Sequence, residues 1–94
     1  MNTSPCLSQT AQQPTQSNRR AFASDLYREA RQEFPDCQVY ANGFEYRTFV
    51  MQRVGDNLFA AVQLERFVNL LLAIGFRRVV CTSEDGRVFK TNLQ

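Results

Sequence analysis

Four groups of side chains in this 94-residue chain are of types from which chemistry could be built. Glu29 and Glu33 stand four apart, so on a helix they would meet on one surface, as a general acid–base pair must. Glu84 and Asp85 are adjacent and directly precede Gly86. Cys6, Cys37 and Cys81 could supply nucleophiles or metal ligands, and Arg77, Arg78, Arg87 and Lys90 could contact phosphates.

The surrounding sequence argues against catalysis in each case. There is no histidine, which removes the commonest general base, the commonest metal ligand and the usual activator of a cysteine nucleophile. Glu29 and Glu33 are interleaved with Arg28 and Arg31, the pattern of a solvated helix face. Asp85 before Gly86 is ordinary turn chemistry. The cysteines are odd in number, scattered and without a Cys-x-x-Cys spacing, so free thiols in a reducing compartment fit them better than a disulfide framework or a zinc site. Four dispersed glycines, at 43, 55, 75 and 86, make no phosphate-cradling loop. The expectation is a non-enzymatic protein with no catalytic residue, no metal and no cofactor.

Two binding surfaces remain. The net charge of +2 lies entirely in residues 77–94, where Arg77, Arg78, Arg87 and Lys90 face Glu84 and Asp85. With Phe89 nearby, this basic hairpin could hold nucleic acid. So small an excess equally suits a solvated strand whose charges guard a sheet edge. The second surface is Tyr40, Phe49 and Met51, rimmed by Arg47 and Arg53. Aromatics and methionine bordered by arginine have the composition of a protein-binding hot spot. This is the leading reading: a small regulator, adaptor or inhibitor that occupies a partner protein's surface, with nucleic-acid binding as the alternative.

The elements that must position these residues follow from periodicity. Phe22, Leu26, Ala30 and Phe34 recur every four residues, which predicts a helix over 19–34 that starts at Ser17 or Asn18 and stops at Pro35. Asn42-Gly43 lies between alternating residues and predicts a two-residue hairpin turn pairing Ala41 with Phe44 and Val39 with Tyr46. That register puts Val39, Ala41, Phe44, Tyr46, Thr48 and Val50 on the core face and Tyr40, Phe49 and Met51 on the outer one. A β-bulge near Thr48, or a cover by the first helix, would instead bury Phe49 and Met51. The Leu58–Phe76 stretch, polar only at Gln63, Glu65, Arg66 and Asn69, predicts one long buried helix capped by Asp56 or Asn57 and ended by Gly75. Glu84-Asp85-Gly86 predicts a second hairpin, with Val79, Cys81, Phe89 and Leu93 on one face. The order α-β-β-α-β-β implies an α+β domain with a mainly antiparallel sheet.

Residues 1–18 carry no charge and are rich in Gln, Ser, Thr and Pro, so they read as a disordered tail, leaving 19–94 as one small domain. They also lack the basic-then-apolar pattern of a secretion signal, and Glu65 and Arg66 at the middle of the greasy stretch argue against a membrane span. A cytoplasmic protein is expected. A helix apolar nearly all round is normally covered nearly all round, which points to a homodimer formed through that helix or a sheet edge.

Overall fold

The computed structural model of the protein describes residues 14–93. Within those residues three α-helices and four strands follow in the order α1 (Gln16–Glu33), β1 (Gln38–Asn42), β2 (Thr48–Val54), α2 (Asp56–Ala61), α3 (Glu65–Ile74), β3 (Arg78–Ser83) and β4 (Val88–Asn92), with one 3-10 turn at Phe44–Tyr46 between β1 and β2. They build an α+β domain with one mixed sheet in the order β1-β2-β3-β4. Both hairpins are antiparallel, while the central β2–β3 pair is parallel. The helical crossover between β2 and β3 makes that parallel pairing reachable, since two parallel strands cannot share a tight turn.

Helix α1 starts earlier than its stripe alone suggests. Thr15 is the N-cap, its side chain accepting a hydrogen bond from the Asn18 backbone N–H at 3.0 Å. Residues 16–18, assigned to the tail on composition, are therefore helical, and the rest of the proposed tail with Cys6 falls largely outside the described residues.

The long helix is broken. After Ala61 the backbone tightens through short-range bonds from Gln63 N–H to Ala60 and from Leu64 N–H to Ala61, and Leu64 is extended at φ −73°, ψ 142° before α3 begins. The break is what an apolar stretch without a polar face requires. It lets Phe59 and Val62 from the first piece and Leu71 and Ile74 from the second reach the same core. Glu65 becomes the first residue of α3, where the positive end of the helix dipole suits a carboxylate. Among the described residues no helix is long and apolar enough to cross a membrane. At the far end Gly75 is left-handed (φ 105°) and Phe76 N–H bonds back to Leu71, as the sequence indicates.

The core lies between the helices and one face of the sheet. Four rings gather at its centre: Phe22, Phe49, Phe67 and Phe76, with centroids 5.3–6.4 Å apart and tilted or edge-on packing. The other sheet face carries the cross-strand row Tyr40–Val50–Val80–Lys90, and Val50, though buried, is no part of the main core cluster.

The first hairpin corrects the expected register. Ala41 pairs with Phe49, not Phe44, and Val39 with Met51, so the connection runs over Gly43–Arg47 instead of two residues. The shift is by an odd number of positions, and an odd slip turns every side chain of a strand to the opposite face. Phe49 and Met51 therefore point into the core, at 0% and 1% exposure. A bulge does occur in β2, but at Arg53 (φ 59°), between the Met51–Cys81 and Val54–Ser83 pairs.

Candidate functional site

Arg19 sits one turn ahead of Ala23 on the buried stripe of α1, and its side chain is only 1% exposed. A guanidinium has five donors, so burial demands several acceptors. It finds two carbonyls. Nε and Nη2 donate to Glu45 O at 3.1 and 2.8 Å, and Nη1 donates to Ile74 O at 3.2 Å. Ile74 ends α3, so the charge also meets the negative end of that helix dipole. Burial lowers the Arg19 pKa from its ordinary value, Arg47 lowers it further, Glu45 opposes the change and Arg77 adds a smaller repulsion.

Those bonds fix the β1–β2 connection. Gly43 turns the chain at φ 80°, and then Glu45 (φ 53°) and Tyr46 (φ 56°) both take the left-handed conformation that side chains disfavour. The strain is held in place from three sides. Arg19 grips the Glu45 carbonyl, and Arg47 donates to Glu45 Oε1 at 2.9 Å and to Gly75 O at 3.0 Å. Arg20 lies over the Tyr46 ring, 4.9 Å from its centroid. The product of all this anchoring is Phe44, carried at the apex with 83% of its surface exposed.

Beside the loop runs a groove of about 580 Å³ between α1 and the edge strand β1. Arg20, Tyr27, Tyr40 and Tyr46 supply most of its character, with Ser17 and Ser24 along the helix wall. This is the size of an ordinary ligand cleft, open to solvent and containing one charge.

The residues expected to form a protein-binding hot spot do not come together. Phe49 and Met51 are core. Arg47 is part of the loop anchor, and Arg53 donates to Asp36 O at 2.9 Å, tying the β2 bulge to the turn before β1. Of the three apolar members only Tyr40 remains at the surface, 38% exposed on the open sheet face and at the rim of the groove, while Arg53 is exposed at the β2 bulge.

The basic set also divides. Arg87 is held by ion pairs to Asp56 and Asp85 and lies 4.9 Å from the Phe59 ring centroid, so its charge is taken up locally. Asp85 is held below its ordinary pKa first by the Ser83 hydroxyl and then by Arg87. Arg77 lies on the helix side, close enough to depress Arg19. Arg78 and Lys90 share the open face, Arg78 opposite Asn92 and Lys90 opposite Val80.

Glu29 and Glu33 are exposed on α1, and Glu84 and Asp85 occupy the predicted second turn. Among the described residues no three cysteine or carboxylate side chains cluster as metal ligands would. Cys37 and Cys81 are free, buried thiols. Burial pushes both upward in pKa, Cys81 to about 11, the wrong direction for a nucleophile.

Phe44, Tyr46, Arg19 and Arg20 are the site residues that sequence reasoning misplaced or passed over. The spacing of Arg19 with Ala23 and Ala30 put it on a buried stripe, which was the available signal. Comparison of the chain with protein families, curated proteins and solved structures finds no match, so its function has to be read from this geometry.

Proposed function

We propose that the chain is a small non-enzymatic binding module that docks onto another protein through the Phe44 loop and the adjoining groove. The observation that carries this reading is Phe44 itself: an aromatic side chain 83% exposed on a loop held in two disfavoured backbone conformations by a buried arginine. Exposed rings normally cost solubility, and strained backbone persists only where its surroundings over-determine it. Rigid presentation of an aromatic reduces the entropy lost on binding. The test replaces Phe44 with a photo-crosslinking phenylalanine analogue in the host cell and compares adducts with those of a Phe44→Ser control. A specific protein adduct at position 44, with loss of the same partner from Phe44→Ser, supports the reading. No adduct, with both variants folded, refutes it.

A second reading is favoured by the open sheet face. None of the four strands contains an acidic residue, and this face presents Arg78, Lys90, Tyr40 and several amides and hydroxyls. Single-stranded nucleic acid would suit such a surface. Two phosphate contacts give a log–log salt slope of about −1.4 for a labelled oligonucleotide. Binding that is absent at low salt, or unchanged by Arg78→Ala with Lys90→Ala, would exclude it.

A further inference from the structure

The docking reading does not say whether the protein met on the β1 side is a different chain or a second copy of this one, and the two edges of the sheet differ in a way that identifies it. β4, at one edge, runs Val88-Phe89-Lys90-Thr91-Asn92 with a lysine at its centre. Antiparallel pairing of two copies centred there would set lysine against lysine, the usual protection of an edge. β1, at the other edge, runs Gln38-Val39-Tyr40-Ala41-Asn42 and contains neither charge nor proline. Its sequence is chemically palindromic about Tyr40: an amide at each end, an aliphatic residue on each side and an aromatic at the centre. Helix α1 packs against β1 through Ala23 and Ala30, and a groove of about 580 Å³ stays open to solvent beside Val39–Ala41.

We infer that the β1 edge pairs antiparallel with β1 of a second copy, about a two-fold axis through Tyr40, to give a continuous eight-stranded sheet. A two-fold interface must be self-complementary, and this strand is: Gln38 meets Asn42, Val39 meets Ala41 and Tyr40 meets Tyr40. Charge agrees as well. The pairing carries Asp36 of the second copy toward the Asn42 end of the groove, the end at which Arg20 stacks on Tyr46. Paired strands leave no bare edge of neutral backbone, while the outer edges of the assembly are the two lysine-bearing β4 strands.

The inference rests on the β1 side being a docking face, and its test separates the two claims. Directly opposed residues in an antiparallel pair have Cα atoms about 4.5–5.5 Å apart, within disulfide reach. In a Cys6→Ser background, Tyr40→Cys should form an interchain disulfide with itself under mild oxidation. Gln38→Cys and Asn42→Cys should each stay monomeric on non-reducing gels but cross-link when mixed, and Val88→Cys on the far edge should not cross-link. Tyr40→Lys, which opposes two like charges, should weaken the dimer at least tenfold in sedimentation equilibrium while leaving the circular dichroism unchanged. A protein that sediments as a monomer at 100 µM, or a cross-linking pattern without this register, overturns the pairing. If the Phe44 analogue still captures a different protein in that case, the docking reading survives and self-pairing alone is wrong.

Discussion

Replacing Arg19 with methionine tests the central structural claim, that a buried guanidinium holds the Phe44 loop in place. Methionine keeps the stem and apolar volume while deleting all three side-chain hydrogen bonds. A hydrogen bond from a charged donor contributes about 1.5–3 kcal/mol net, so simple addition gives roughly 5–9 kcal/mol. Two of the bonds share the Glu45 carbonyl, which is only partly buried and can recover water in the variant. The Ile74 carbonyl lies deeper and recovers less. Removing one buried charge also removes its desolvation cost and its repulsion with Arg47 and Arg77. A loss of about 3–4 kcal/mol is the expected balance. A domain of this length has a total stability of about 4–12 kcal/mol, so the variant should remain folded only marginally at 25 °C. Urea unfolding followed by circular dichroism measures the loss, and hydrogen exchange at the Glu45, Tyr46 and Arg47 amides measures the loop. The reasoning is refuted if Arg19→Met costs under about 1 kcal/mol and leaves exchange in the loop unchanged.

Other consequences can be checked with the same material. Phe49→Ser removes a ring at the centre of the four-phenylalanine cluster and buries a hydroxyl, so it should cost at least 3–5 kcal/mol and abolish the cooperative thermal transition. Phe44→Ser should shift stability by about 0.5 kcal/mol or less, and the contrast between the two phenylalanines tests the corrected register. Gly75→Ala should destabilise by more than about 1 kcal/mol in urea melts, because a Cβ there would require a left-handed alanine and would strike the Arg19 guanidinium. Cys81 is an acid whose pKa is raised from 9.0 to about 11 in the folded state. Its contribution is therefore complete below pH 9 and is lost as pH climbs from 9 to 11. Stability measured against pH over that interval should fall more steeply in wild type than in Cys81→Ala.

What the sequence conveyed was whatever depends on local chemistry. The stripe Phe22–Leu26–Ala30, the left-handed stop at Gly75 and the Glu84–Gly86 turn are decided within a few residues, and each matches the structure. The first hairpin was decided elsewhere. Asn42-Gly43 favours a tight turn by an amount comparable to one side-chain contact, whereas burying a Phe or Met side chain stabilises by about 1.5–3 kcal/mol each. Phe22, Phe67 and Phe76 provide a pocket for Phe49 that no local rule can foresee, and the register shifts to fill it. The broken helix has the same origin. Nothing at Val62–Leu64 forbids a continuous helix by propensity, but only a break turns Phe59 and Leu71 onto one core. The misplaced hot spot follows from the register alone. The anchor of the real site was hidden because a buried arginine is recognisable only when its acceptors, 26 and 55 residues away, are known.

All three tyrosines of the chain, Tyr27, Tyr40 and Tyr46, line the groove beside β1, and the protein has no tryptophan. Its near-ultraviolet absorption and intrinsic emission therefore originate almost wholly from that one place. Ordinary unlabelled fluorescence becomes a site-specific optical reporter. Any molecule that enters the groove, or lies across Tyr40 on the open sheet face, changes the quantum yield of rings it touches, while one that settles against α2 and α3 leaves the spectrum nearly dark to its presence. Titration of candidate ligands into the native protein thus maps where they land as well as whether they bind.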